Sequence, residues 1–496
     1  MLEFQRFCQL ATQGNFIPVY RRWVADLETP LSAWYRVCAD QPYSFLLESV
    51  EGGEQVARYS FLGADPLWIL TIRGQETQRT WRSGETEILT GDPFVALQTC
   101  LEPYQPVAVP ELPASIGGLF GYWGYELIQW MEAKVPIHPA QAGDPPDGVL
   151  MQVDSILLFD QVQRQIWVVA FADTSQGSLE QVYAAAMARV DALLAKLGTP
   201  LNNEALTLPW SEDPGSPVAY TSHVTAEDYA AAVKRAKDYI TAGDIFQVVL
   251  SQRFTASYAG DPFLVYRGLR FVNPSPYMAF FRFGDLYLIG SSPEVMVKLS
   301  HQGSQPLATV RPIAGTRPRG KTPQQDRELE ADLLADPKER AEHVMLVDLG
   351  RNDLGRVCQL GSVQVESLML IERYSHVMHI VSQVVGTLRP EFSAWDLLKA
   401  TFPAGTVTGA PKIRAMQIIH ELEGLRRGPY SGAYGFYDFS GQLNTAITIR
   451  TLWMQNGTVT WQAGAGIVAD SDPQREYEEC LNKAKGLLTV LAHLQP

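Results

Sequence analysis

Residues Tyr277–Gly290 read YMAFFRFGDLYLIG. Two apolar, aromatic-rich runs flank Gly284–Asp285, and the glycine supplies the backbone freedom a tight turn needs, so the stretch predicts an antiparallel hairpin. Parallel partners need a crossover of about a dozen residues, and two leave no room for one. Working outward, strands are also expected at Asp244–Phe254, 431–438, 443–451 and 458–463. Helical spacing predicts helices over Asp228–Ala242, 336–349, 393–401, 411–425 and 473–493. Strand pairs joined by short turns, with helices laid on them, give an α+β fold of largely antiparallel sheets packed with helices rather than a doubly wound one.

Before the hairpin, Phe45–Ser49, Tyr59–Leu62, Leu67–Ile72 and Ile166–Phe171 read as short strands, and Leu179–Leu197 has helical spacing. Residues 198–218, GTPLNNEALTLPWSEDPGSPV, form the longest stretch without apolar periodicity. It reads as the main linker and divides the chain into regions 1–215 and 216–496. Ser115–Met131 is apolar, but it holds Glu126, Gln129 and four glycines and is too short to span a bilayer, so a buried element is expected. The start, MLEFQRFCQL, lacks a basic stretch leading into an apolar run, so no secretory signal is expected.

The 496 residues carry a formal net charge of −14. An acidic surface repels phosphate backbones and excludes nucleic acid as a partner. It also repels small anions, so an anionic substrate requires local arginine, backbone N–H groups or a metal. The five cysteines are scattered and never form a CxxC pair, which fits a reducing, cytoplasmic setting and gives no thiolate metal site.

Two of the expected helices carry paired carboxylates. Asp472 and Pro473 suit the start of the last helix, and Glu476 and Glu479, three apart, share a face beside its apolar stripe. Asp336–Pro337 starts another, with Glu339 placed for a capping box and Glu342 one turn on. Acidic residues near a helix start also stabilise it through the dipole, by about 0.3–1 kcal/mol each. If both pairs face one cleft, however, four carboxylates repel without a cation, and an all-oxygen set favours Mg²⁺.

Several segments suit anions. Phe402–Lys412, FPAGTVTGAPK, runs into a helix at Pro411 with Gly405 and Gly409 freeing the backbone, either as an anion cradle or as a structural turn. Gln462–Val468, QAGAGIV, follows a strand and offers bare N–H donors. Asn444–Thr451, NTAITIRT, reads as an alternating strand with Arg450 on the face of Ala446 and Thr448, paired either to a ligand carboxylate or to a protein acid. Glu294, in GSSPEV, has the setting of a buried acid, and His376 and His379 are three apart, either one readable as a core histidine.

Together NPSPYMAFF, IGSSPEV, PIAGTRPRG, AEHVMLVDLGRNDLGRV, HVMHIVSQVVGTL, FPAGTVTGAPKIRAM, GPYSGAYGFYDF, TAITIRT, QAGAGIV and EYEECLNKA resemble, in this order over 273–485, the chorismate-utilising enzymes. FLLES (45–49) and RYSFLG (58–63) extend the resemblance over most of the chain. It implies Mg²⁺ on the ring carboxylate of chorismate, with Glu342 and Glu479 as direct ligands and Glu339 and Glu476 behind them. It implies substrate contacts from Gly315, Thr316, Tyr430, Arg450, Gly464, Ala465 and Gly466. Glu294 would protonate the departing ring hydroxyl, and His379 would serve pyruvate elimination. Water-adding members carry a lysine base where this chain has Gln247, and many aminodeoxychorismate synthases carry a nucleophilic lysine where it has Ala314. The resemblance therefore implies ammonia addition beside the ring carboxylate, giving anthranilate for tryptophan biosynthesis. The folate-pathway aminodeoxychorismate reaction is the alternative.

No cysteine lies in a Gly-x-Cys-x-Gly turn and no glutaminase-like stretch follows Pro496, so a separate glutamine amidotransferase, in a hetero-oligomer, is the expected ammonia source. FLLES and NPSPYM resemble the family's tryptophan feedback site, with Glu48, Ser49, Pro276, Tyr277 and Met278 as the matching residues. Without the resemblance those stretches read as strand core and turn.

Overall fold

The hairpin forms as expected. Tyr277–Phe283 pairs antiparallel with Leu286–Ser292, from Phe283↔Leu286 to Tyr277↔Ser292, and Gly284 makes the turn at φ +70°. The computed structural model describes residues 2–24, 26–50, 58–201, 206–213, 217–303, 305–374 and 377–494. His376, parts of the expected linker and the 215/216 division lie outside these residues.

Among the described residues there are two twelve-stranded sheets. The first places Phe16–Val24 at one edge, then Gln165–Asp173, Ser155–Asp160, Tyr59–Ala64, Tyr43–Glu48, the hairpin, Thr451–Gln455, Thr458–Ile467, Gln247–Ser257 and Thr221–Ser222, with Gly409–Ala410 beside the Gln247 strand. The second runs Ile313–Pro318, Val377–Thr387, Gln305–Val310, Val295–Gln302, Leu443–Ile447, Ala433–Asp438, Gly118–Trp123, Gly148–Val153, Trp68–Arg73, Glu76–Trp81 and Thr86–Leu89, with Gln364–Arg373 also on the Val377 strand.

Both sheets draw strands from either side of the expected division. Tyr43–Glu48 pairs with the hairpin from Tyr43↔Phe283 to Glu48↔Met278. Gly118–Trp123 pairs with Ala433–Asp438. The sheets meet face to face: Phe45 of the first stacks on Phe120 of the second with ring centroids 4.1 Å apart, and Phe61, Phe281 and Phe436 join the same core. Ser115–Met131 is the buried element anticipated, a strand at Gly118–Trp123 and a short helix at Tyr125–Trp130. No described helix is long and apolar enough to cross a membrane.

The last helix, Pro473–His493, has the expected bounds, and Asp472 accepts the Gln474 and Arg475 N–H groups. The helix expected over 336–349 runs instead over Pro337–Gly355. Gly350 reads as a stop but serves packing, because a Cβ there would sit 3.0 Å from Val310 Cγ2. Asp336 caps this helix, but Glu339 does not complete the reciprocal box; its side chain goes to Arg317 instead. The largest departure is at 443–451. The expected single strand is two, Leu443–Ile447 in the second sheet and Thr451–Gln455 in the first. Thr448–Arg450 carries the chain between sheets and Arg450 adopts φ +51°, so it does not share an alternating face with Ala446 and Thr448.

Candidate active site

The Ile313–Pro318 strand slips register against Val377–Thr387 between Ala314 and Thr316. The residue in that bulge is Gly315, at φ +76°, a conformation glycine adopts without strain. The Gly315 carbonyl and Thr316 Oγ1 each lie 3.1 Å from His379 Nδ1. A carbonyl only accepts, so Nδ1 carries the hydrogen and Nε2 keeps its lone pair. Burial lowers the pKa of the ring, which holds it neutral and basic near pH 7. A Cβ at 315 would come 3.1 Å from Glu339 Oε2, which places the bulge against the first acidic helix.

Gly464–Gly466 does not follow a strand, as the sequence suggested; it is the second half of one, Thr458–Ile467. One edge pairs with the Gln247 strand, Ser251↔Gly464 through Val249↔Gly466. On the other edge the Thr451–Gln455 ladder ends at Leu452↔Trp461, and the Gly464 carbonyl accepts from Lys483 Nζ at 2.8 Å. Both glycines are bare because side chains lie against them. A Cβ on Gly464 would meet Tyr430 Oη at 2.7 Å, and one on Gly466 would meet Gln247 Nε2 at 2.5 Å.

Arg450 closes this group. Among the described residues no carboxylate stands within ion-pair distance of its guanidinium, so the protein salt bridge that the sequence left open is not made. Burial lowers its pKa, while Tyr430 and Glu479 act on it through space to raise it. A half-buried guanidinium without a protein counter-charge, beside bare strand backbone and a buried tyrosine, suits a planar carboxylate.

Electrostatic contacts link the four glutamates in a chain, Glu339 to Glu342, Glu342 to Glu479 and Glu479 to Glu476. Burial raises Glu342, and Glu339 and Glu479 push it further up. Burial raises Glu476 too, with Glu479 adding to it. Each has a protein contact: Gln247 Nε2 donates to Glu342 Oε1 at 3.2 Å, Arg317 lies 3.2 Å from Glu339, Lys483 lies 2.7 Å from Glu479, and Ser471 bonds Glu476. Mutually repelling, all-oxygen groups fit a hard divalent cation. Among the described residues no three acidic, His or Cys groups already stand together at ligating distance.

Burial pushes the Glu294 carboxyl up to about 8, against contacts with Thr406 and the Ile313 backbone that pull it down. It is a protonated acid near neutral pH. Glu294 and Thr406 share a small cavity of about 40 Å³ with Gly405 and Gly350. The glycine-rich turn is built for packing rather than as an anion cradle. A Cβ on Gly405 would strike Leu349 at 2.1 Å, and one on Gly409 would strike the Gln247 carbonyl at 2.1 Å. Lys412 reaches Asp353 at 2.7 Å instead of any open site.

Glu48, Ser49, Pro276, Tyr277 and Met278 all line one cavity of about 1020 Å³ between the sheets. The buried Glu48 carboxylate accepts from Tyr266 at 2.6 Å and faces Arg270 at 3.3 Å, both through Oε2.

Two residues escaped the sequence reading. Lys483 ties Glu479 to Gly464, and its spacing of four from Glu479 on one helix was the available signal. Arg427 is fully buried. It binds Glu423, the Val407 and Val249 carbonyls and Ser431, with its guanidinium 5.5 Å from the Tyr430 ring. Its spacing of four from Glu423 was the available signal, while the Val249 and Val407 carbonyls come from distant segments.

The family described as chorismate binding enzyme matches residues 43–489. A relative from Synechocystis sp. named anthranilate synthase component 1 is 61% identical, covering 99% of each chain. One of that name from Aquifex aeolicus is 44% identical over 99% of this chain and 97% of its own. The crystal structure of anthranilate synthase component I from Streptococcus pneumoniae superposes with a TM-score of 0.77 at 38% identity, covering 94% of this chain and 99% of that one.

Proposed function

The chain belongs to the chorismate binding enzyme family, and from that premise we propose that it aminates chorismate with ammonia and eliminates pyruvate to give anthranilate. The observation that carries this reading is the contact of Gln247 with Glu342. An amide cannot act as a base, so the position that would activate water holds a neutral hydrogen-bond donor. Ala314, in the bulged strand, offers no amine for a covalent route, and the folate-pathway alternative is not favoured.

Ammonia adds to the ring carbon beside the carboxylate as the ring hydroxyl departs. Glu294 gives that hydroxyl its proton, so it leaves as water. His379 Nε2 then takes the ring proton at the substituted carbon while the ether bond breaks, and the departing enolpyruvate takes up a proton at its methylene carbon to become pyruvate. Chorismate and ammonia thus become anthranilate, pyruvate and water. Arg450 and the backbone of Gly464–Gly466 hold the enolpyruvyl carboxylate, and Tyr430, Gly315 and Thr316 fix the ring. Glu342 and Glu479, with Glu339 and Glu476 behind them, would hold Mg²⁺, which when bound neutralises charge on the ring carboxylate.

Tryptophan is the proposed inhibitor, in the cavity lined by Glu48, Ser49, Pro276, Tyr277 and Met278. The numbering in the relatives' name, component 1, supports a second component, for which a glutamine amidotransferase supplying ammonia is proposed. Five free thiols support a cytoplasmic setting. The test is anthranilate fluorescence from the pure chain with chorismate, Mg²⁺ and ammonium at alkaline pH. Folded protein that forms no anthranilate overturns the reading.

A further inference from the structure

His379 belongs to a row of side chains that crosses the second sheet. Thr316 opposes it on one neighbouring strand and Glu372 opposes it on the other. Directly opposed residues of an antiparallel pair project from the same face with Cβ atoms about 5 Å apart, so Glu372 and His379 are side by side. Tyr374 follows two residues later, and its ring lies 5.7 Å from the His379 ring.

The Glu372 carboxylate is gripped from two sides. Tyr374 Oη donates to Oε2 at 2.9 Å, and Arg311 Nη2 donates to Oε1. Arg311, Glu372 and Tyr374 all line the same cavity as Tyr277 and Glu48. Tyr277 senses the charges of Arg311 and Glu372, and Glu372 acts electrostatically on His379. A single layer of side chains therefore separates the inter-sheet cavity from the histidine ring, and it is held by hydrogen bonds to one carboxylate.

We propose that Arg311, Glu372 and Tyr374 are positioning residues that couple the orientation of His379 to the occupant of the inter-sheet cavity. The inference rests on the reading of that cavity as the tryptophan site and of His379 as the base. With the cavity open to solvent, Arg311 and Tyr374 together fix Glu372, and the Tyr374 ring backs the imidazole whose Nδ1 is held by Gly315. A zwitterionic aromatic amino acid brings a carboxylate that competes with Glu372 for Arg311. The carboxylate then has one anchor instead of two, Tyr374 moves with it, and the imidazole loses its backing. Reciprocity follows: a substrate that fixes His379 weakens binding in the cavity by the same factor.

The test uses the full chain with its ammonium-dependent assay and tryptophan calorimetry. Wild type must first bind tryptophan; if it does not, the effector reading falls and the relay with it. Tyr374→Phe keeps the ring but removes the bond to Glu372. The expected result is a kcat lowered about threefold with KM for chorismate unchanged, tryptophan affinity within about twofold of wild type, and saturating tryptophan leaving about half the activity. Tyr374→Leu, which also loses the ring contact, lowers kcat about tenfold, so phenylalanine rescues part of the loss. Should Tyr374→Phe misfold, Glu372→Gln, which weakens the grip of Arg311 and Tyr374 on this side chain and leaves Arg311 in place for the ligand, makes the same comparison. Full inhibition of a variant that binds tryptophan normally overturns the relay, as does a loss of inhibition that only follows a loss of binding.

Discussion

Gln247 Nε2 donates to Glu342 Oε1 across 3.2 Å, while the same amide nitrogen lies 2.5 Å from where a Cβ on Gly466 would stand. One neutral side chain thus bridges the acidic helix and the bare strand. Replacing it with lysine puts an ammonium against Glu342 and competes with a cation there. We expect Gln247→Lys to need about tenfold more Mg²⁺ for half-maximal anthranilate formation, a difference of about 1.4 kcal/mol. An Mg²⁺ titration of the fluorescence assay measures it, and an unchanged requirement counts against Glu342 as a ligand.

Glu479 carries the parallel prediction on the last helix. Glu479→Gln keeps the volume and removes the charge, so half-saturation by Mg²⁺ should rise at least about tenfold while chorismate-free stability holds steady, since the exposed pair with Lys483 is worth at most about 1 kcal/mol. Full activity at wild-type Mg²⁺ would sink the metal assignment.

Among the described residues Arg450 makes no ion pair, so its removal should leave folding nearly untouched and substrate binding badly impaired. Arg450→Lys retains charge but not the planar fork, and we expect KM for chorismate to rise roughly 100-fold, about 2.7 kcal/mol. Steady-state kinetics beside a thermal melt separates the two effects; a large drop in melting temperature with KM intact would contradict the role.

Glu294 sets a pH limb. Its carboxyl stays neutral up to about 8 and ionises above that, and the chemistry needs the acid form. At saturating free ammonia, kcat should therefore fall on the alkaline side with a midpoint near 8, and Glu294→Gln should lose that limb along with about 10²–10⁴ of the rate. The linkage has the same sign: the folded state holds this proton more tightly than an unfolded carboxyl at 4.5, so its contribution to stability is full below 4.5 and lost as pH climbs to about 8. A pH–rate profile without the alkaline limb would show that another group donates.

Gly464→Ala tests the closeness of the substrate face. The added methyl would stand 2.7 Å from Tyr430 Oη and 2.9 Å from the Leu250 carbonyl. The tyrosine can move and the backbone cannot, so the variant should fold with a cost of about 1–3 kcal/mol and lose most of its activity. Chemical denaturation and the fluorescence assay on one preparation report both numbers.

Local signals were legible and meeting points were not. The Gly284 turn, the Asp472 cap and the apolar stripe of Pro473–His493 are decided within a few residues of sequence, and they stand where expected. Glu294 could be marked as a buried acid from the apolar run before it. Arg450 misled because alternation persists through Thr448 and Ile449 even though the chain leaves one sheet there; period two cannot announce a change of partner. Gly405 and Gly409 left an anion cradle and a structural turn both open, because glycine marks close approach without saying whether backbone or ligand approaches. The contacts of Gln247 with Glu342 and of Lys483 with Gly464 join distant segments or opposite ends of a helix and strand, so they became visible only in three dimensions.

The pairing of Glu48 with Met278 governs how the chain can be made. The Tyr43–Glu48 strand leaves the ribosome long before its partner does, and until the hairpin emerges it is an open edge able to pair with a neighbouring molecule. A chain with such distant pairings folds slowly and is exposed to aggregation while it waits. The catalytic segments, in turn, have no finished sheet without this early strand. Expressing residues 216–496 alone would leave the hairpin with a bare edge, so the portion that carries the chemistry cannot be separated from the portion that does not.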